Sequence, residues 1–134
     1  MAGVRLGSGP PIPPFVAPEL NIELWRESIA KIRALNPVRL FLPHFGVVAE
    51  SIAAHLDALD ERVVRWSEWF RERLRAGDDE TQRRSAFAEY EASDLRADGA
   101  SAEDVHDYEH ADPSYMAVAA TDRYWRKFHP DAIS

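Results

Sequence analysis

The longest periodic pattern of apolar residues in the chain falls between residues 51 and 76. Apolar side chains recur there every three or four positions, which is the spacing of one face of an α-helix. The members of this stripe are Ile52, Leu56, Leu59, Val63, Trp66, Phe70 and Leu74. Ser51 is a candidate N-cap, and Gly77 follows the last predicted turn. The pattern is typical of an amphipathic helix packed on a core, and it also resembles the seam of a coiled coil.

Other segments repeat the helical spacing over shorter lengths. Asn21 is the predicted N-cap of the first helix, and Ser101 opens a capping-box sequence before a later one. A weaker apolar pattern follows a polar break over residues 77–80. The predicted helices outside the long one cover residues 22–35, 82–97, 102–110 and 113–128.

Residues 38–48 form the run that is densest in branched and aromatic side chains. A short apolar run between turn signals predicts a buried strand, here over residues 38–42. Residues 2–6 predict a second short strand, and the proline loop that follows it at residues 7–14 excludes helix and central strand. Five of the nine prolines lie within residues 1–18. Since two strands alone do not make a stable sheet, their apolar faces are expected to need a partner.

Composition narrows the functional classes. The 134 residues carry a net charge of −7, which argues against a nucleic-acid partner and against adhesion to an anionic membrane. The absence of cysteine excludes disulfides and thiolate metal sites. Because the sequence has no apolar run of membrane-spanning length and no signal segment, we expect a cytoplasmic protein with no membrane partner.

The order of elements around residue 44 resembles the C-terminal part of metallo-β-lactamase-fold hydrolases. The resemblance depends on a helix, an apolar strand that ends in Pro43-His44-Phe45-Gly46, and a helix that contains Ala53-Ala54-His55-Leu56. Ala2-Gly3-Val4-Arg5-Leu6 is similar to the preceding strand of that family. Residues 108–116 and 123–127 are similar to the helical C-terminal extension of one bacterial subgroup.

This resemblance implies an α/β fold class that is mostly helical in this chain. Residues 1–76 would be a short two-strand remnant of the αββα sandwich. Residues 77–134 would be the helical C-terminal extension. The order of the motifs carries the resemblance more than any single motif does.

The same resemblance implies that His44 is the last ligand of a metal site that holds zinc or iron. The family uses metal-activated water to attack an ester, thioester or amide. The family's His-x-His-x-Asp-His cluster is absent from this sequence, and Met1 stands where the bridging aspartate would fall. Because one ligand does not hold a divalent ion, the chain alone is predicted to lack catalysis and to need a missing N-terminal half. Zinc, iron or no metal at all are the open cofactor alternatives, and an ordinary turn residue is the alternative for His44.

Further candidates lie on the predicted helices. His106 and His110 are four residues apart and could bind a transition metal on one helix face, although no third ligand is near them in the sequence. A solvated acidic face is the alternative. Tyr115 and Met116 fall in the extension, which in the resembled family approaches the active-site mouth, and they are predicted to line a substrate. His55 falls on the polar side of the long helix and is predicted to be structural or exposed.

The alternative function is a non-catalytic helical interaction protein. Its apolar faces would be buried against a second copy of the chain or against another protein. Residues 51–76 would then be the dimerisation element. A homo-oligomer is therefore the second partner hypothesis beside the missing half of a hydrolase.

Overall fold

The computed structural model describes residues 2–43, 46–48 and 51–134, which form five α-helices, one hairpin and a short 3-10 helix. The helices are α1 Ile22–Ala34, α2 Ile52–Arg75, α3 Glu80–Ala97, α4 Ala102–Ala111 and α5 Ser114–Phe128, with the 3-10 helix at Pro130–Ile133. The hairpin strands are β1 Leu40–Phe41 and β2 Val47–Val48. The described chain is thus mostly helical, as predicted, with one small antiparallel sheet. No helix in these ranges combines the length and the apolar character needed to cross a membrane.

Local capping explains where several helices begin. Asn21 Oδ1 accepts a hydrogen bond from the Leu24 N–H at 2.9 Å, as predicted. Reciprocal capping boxes start α3 and α4, and only the one at Ser101 was predicted. Ser51, the predicted cap of α2, has a left-handed backbone (φ 52°) and makes no capping hydrogen bond. The prediction for that residue was therefore wrong.

Helix α2 lies at the centre of the packing. It contacts α1 on one side and α5 on another, and Phe87 of α3 meets Trp66 edge-on with ring centroids 5.2 Å apart. Its apolar stripe is buried from Leu56 to Leu74 within this one chain. The stripe is thus a core face rather than an open coiled-coil seam. Dimerisation through residues 51–76 stays a prediction, and it would have to use side chains of this helix outside the buried stripe.

The core continues across the predicted boundary between residues 76 and 77. Helices α3 and α5 pack on each other, and both contribute to the hydrophobic cluster that contains Trp25 and Trp66. The division into residues 1–76 and 77–134 stays a prediction about origin. In the packing, the two parts share one core.

The strand predicted over residues 38–42 is shorter and more exposed than the sequence suggested. β1 pairs only with β2, in the antiparallel register Leu40↔Val48 and Phe41↔Val47. Side chains alternate across this hairpin, so Leu40 and Val48 face the core whereas Phe41 remains 74% exposed. Within the described residues no further strand joins this sheet, and the prediction of a fully buried strand was wrong.

The N-terminal segment pairs with its own proline loop. Val4 and Ile12 exchange two backbone hydrogen bonds, of 2.9 and 2.8 Å, in an isolated antiparallel bridge. The predicted strand at residues 2–6 therefore does not join β1. Gly3 has φ +84°, and a Cβ at that position would lie 2.9 Å from both the Ile12 carbonyl oxygen and the Leu59 side chain. Glycine thus lets this segment lie directly on α2.

The proline loop is buried although it has no regular structure. Besides the bridge at Ile12, two of its carbonyl groups accept hydrogen bonds from side chains. The Tyr108 hydroxyl donates to the Pro10 carbonyl at 2.6 Å, and the Arg62 guanidinium donates to the Pro11 carbonyl at 3.0 Å. Polar side chains of α2 and α4 thereby hold the loop over the helices.

Candidate functional site

His44, the predicted metal ligand, lies between strands β1 and β2 in the sequence. His44 and Phe45 lie outside the described residues, so the role of His44 stays a prediction. Pro43, which precedes His44, lines an apolar pocket of about 230 Å³. Ala2 and Gly3 line the same pocket, together with Leu20 and Trp25. We call this space the hairpin pocket.

His55 secures the N-terminal wall of the hairpin pocket. Its Nε2 lies 2.7 Å from the Ala2 carbonyl oxygen, and the ring is buried rather than exposed. Burial lowers the pKa of the His55 imidazole, which favours the neutral ring with Nε2–H as the donor. The residue therefore has a structural role at the backbone of Ala2.

Apolar side chains lie exposed beside the hairpin pocket. Val38 is 84% exposed, and Phe41 and its cross-strand partner Val47 face outward on the sheet. Leu35, just before them in the chain, is also exposed. We call these four residues the hairpin surface. Of the four, Phe41 and Val47 are direct neighbours across the sheet, and adjacent exposed apolar side chains are more typical of a contact surface than isolated ones are.

The pair His106 and His110 lies on the exposed face of α4. The ring centroids are 4.2 Å apart, and His110 Nδ1 lies 2.9 Å from the carbonyl oxygen of His106. Among residues 2–43, 46–48 and 51–134, no three histidine, aspartate or glutamate side chains are arranged to hold a metal ion. The described structure therefore gives this pair no third ligand.

Tyr115 and Met116 lie in the first turn of α5. Tyr115 is exposed, and the Arg84 guanidinium lies 5.7 Å from its ring centroid. Neither side chain lines the hairpin pocket. Their predicted contact with substrate stays a prediction, and the structure brings them to α3 rather than to the hairpin.

An ion-pair network that the sequence analysis did not identify lies between α2 and α3. Arg62 is 1% exposed and donates to Asp94 at 2.8 Å and also to Asp98. Asp94 additionally accepts hydrogen bonds from the Trp66 indole and from Arg65, each at 2.8 Å. One signal was present in the sequence, because Arg62 falls among the apolar positions of the long helix.

Helix α3 also carries charged residues at inward positions, and its sequence spacing indicates this more clearly. Arg83, Phe87, Glu91 and Leu95 are spaced four residues apart and all are buried. Half of this inward stripe is charged, which explains why the apolar pattern of α3 was weak. Glu91 opens into a cleft of about 380 Å³ between α3 and α4, which we call the α3–α4 cleft.

Comparison of this chain with family models, with curated proteins and with solved structures found no match.

Proposed function

We propose that this protein is a metal-dependent hydrolase of the metallo-β-lactamase type, to which this chain contributes His44 and a helical unit. The hairpin pocket carries the proposal. In the resembled family the bridging aspartate and the last histidine bind the same metal centre. The two corresponding positions directly precede Ala2 and directly follow Pro43, and those two neighbours line one pocket. That Ala2 and Pro43, which are distant in sequence, line one pocket supports the proposal.

The described residues do not by themselves fit a metal ion, since no group of three suitable donors occurs among them. We therefore place the remaining ligands on a further polypeptide segment. This chain would supply the apolar wall of the site, formed by Leu20 and Trp25. His55 holds the Ala2 backbone beside that wall. The substrate class proposed is an ester, thioester or amide, with zinc or iron as the metal.

Metal analysis of the protein, purified from its native cells together with the polypeptide segment that supplies the remaining ligands, tests this proposal. Zinc and iron are measured by mass spectrometry in the wild type, in His44→Ala and in a His106→Ala/His110→Ala control. We expect about one metal per chain, lost in His44→Ala and kept in the control. Only the proteins that contain the metal should hydrolyse a model thioester. Metal-free wild-type protein, or metal lost only in the control, would contradict the proposal.

The hairpin surface favours a second candidate, a non-catalytic protein that associates with a second copy of itself. The edge of a two-stranded sheet presents backbone N–H and C=O groups that can pair with another strand. The exposed Phe41 and Val47 lie on this sheet. A dimer that continues the sheet would cover both the edges and the apolar side chains.

Sedimentation equilibrium tests the second candidate. Burying a phenylalanine side chain contributes about 1.5–3 kcal/mol, so Phe41→Ser should weaken dimerisation about tenfold or more. Leu24→Ser is the matched control, since Leu24 is also exposed but lies on α1 outside the hairpin surface. A wild-type chain that stays monomeric at high concentration would contradict this candidate.

A further inference from the structure

The α3–α4 cleft has the size and the lining of a small-molecule site. Its volume of about 380 Å³ falls within the range of about 300–1,000 Å³ that is usual for such sites. Its walls are mostly apolar and are formed by Ala88, Ala92, Leu95, Val105 and Tyr108. A ligand with a short hydrocarbon part would find matching surface there.

Glu91 is the buried one of the two carboxyl groups that line this cleft, since Glu109 is exposed. It is only 4% exposed, and its Oε2 is buried with no hydrogen-bond partner in the part of the chain that the structure describes. Leaving a buried polar atom unpaired costs free energy, because its hydration is lost without replacement. Among the described residues, the cleft therefore lacks a hydrogen-bond partner for the Glu91 carboxyl.

The charges around Glu91 are predominantly negative. Burial, and then Asp112, Glu109 and Asp94, raise the pKa of the Glu91 carboxyl well above its ordinary value. Arg62 lowers the pKa of Glu91, but its guanidinium already donates to Asp94, which lies on α3 like Glu91. The surroundings thus favour an additional positive charge rather than an anion.

The neighbouring acidic groups are partly engaged elsewhere. The Glu109 carboxylate accepts hydrogen bonds from the Ser114 N–H at 3.1 and 3.3 Å, at the N-terminus of α5. Burial, with Glu109 nearby, raises the pKa of Asp112 to about 7. His106 also lines the cleft and is exposed. Glu91 is consequently the buried carboxyl in the lining of the cleft that makes no hydrogen bond to the described residues.

We propose that the α3–α4 cleft binds a small organic ammonium ion, with its charged group on Glu91 and its hydrocarbon part on Ala88, Ala92 and Val105. An ammonium group supplies both the hydrogen-bond donor and the positive charge that Glu91 lacks. A divalent metal fits less well, because it prefers about six oxygen ligands and these walls are apolar. This inference does not depend on the proposed hydrolase, and each can fail without the other.

Binding is coupled to a proton. The ammonium ion keeps its own protons and pairs with ionised Glu91, so the proton of the Glu91 carboxyl is released to solvent. Where free Glu91 is protonated, the affinity for the ligand should therefore rise with pH. A neutral alcohol of the same length lacks the charge and should show neither the affinity nor the proton release.

The test is calorimetric titration of the full chain with n-butylammonium chloride, and with n-butanol as the uncharged comparison. Glu91→Gln keeps the size of the side chain and removes its charge. Glu89→Gln is the matched control, because Glu89 lies on the same helix but is exposed. Circular dichroism verifies that both variants remain helical.

We expect saturable binding of n-butylammonium that is weakened about tenfold or more in Glu91→Gln and is unchanged in Glu89→Gln. The wild-type affinity should increase with pH, and titrations in buffers of different ionisation enthalpy should detect released protons. If Glu91→Gln does not fold, this proton release in the wild type decides the question. No saturable binding, equal binding of n-butanol, or binding without proton release would overturn the proposal.

Discussion

Replacing Arg62 by methionine should destabilise the fold substantially. The guanidinium is buried and bonds Asp94, Asp98 and the Pro11 carbonyl at once. It thereby joins α2, α3 and the proline loop. Methionine retains much of the aliphatic packing of the side chain, so the substitution mainly removes the charge and its hydrogen bonds.

The expected loss of folding free energy follows from the polar groups that lose a hydrogen-bond partner. The Pro11 carbonyl loses its side-chain donor, and Asp94 loses one of three donors. Asp94 retains the Trp66 indole and Arg65, each at 2.8 Å. Breaking a buried ion pair costs about 3–5 kcal/mol, and the retained bonds favour the lower end, about 3 kcal/mol. This is a large part of the roughly 5–15 kcal/mol of a typical domain.

Urea unfolding measures the effect. Circular dichroism and tryptophan fluorescence should give coincident transitions if the chain unfolds in two states. Arg65→Met is the matched control, because Arg65 contacts the same carboxylate but is 38% exposed. Exposed pairs contribute about 0–1 kcal/mol, so the two variants should differ by about 2 kcal/mol. A loss below about 1 kcal/mol in Arg62→Met, or equal losses in both variants, would refute the argument from burial.

Two further predictions concern buried polar groups near α4. Because burial raises the pKa of Asp112 to about 7, its stabilising contribution is present below its ordinary pKa and is lost as pH rises toward 7. Asp112→Asn should therefore stabilise the fold relative to the wild type increasingly from pH 4 to pH 7, as measured by urea unfolding across that range; a constant difference would count against the shift. Tyr108→Phe removes the hydroxyl that donates to the Pro10 carbonyl and accepts from the Leu6 N–H. It should cost about 1–3 kcal/mol in thermal or urea unfolding, and an unchanged stability would show that the loop is held in another way.

The helices were predictable from the sequence to within about two residues. The long helix was predicted for residues 51–76 and is α2, Ile52–Arg75. The helix predicted over residues 113–128 is α5, Ser114–Phe128. Both predictions used apolar spacing and terminal signals, which depend on residues only a few positions apart. The Asp79 capping box has the same local origin, and reading it would have corrected the start of α3.

The candidate site was less predictable. Pro43 and Ala2 reach the same pocket only through the tertiary fold. His44 lies outside the described residues, and the resemblance that singled it out remains a proposal. The α3–α4 cleft was missed because no prediction singled out Glu91, although it is spaced four residues from both Phe87 and Leu95.

The sequence by itself determined the number of α-helices, their approximate bounds and the apolar face of the long helix α2. Only the tertiary structure decided which charged groups are buried and which side chains of the hairpin are exposed. The physical reason is the separation along the chain of the residues that interact. Helix periodicity and capping act within a few residues, whereas Arg62 is stable inside the protein only because α3 and the proline loop supply oxygen atoms from distant parts of the chain. Glu91 has no such partner among the described residues, and only the packed helices reveal it.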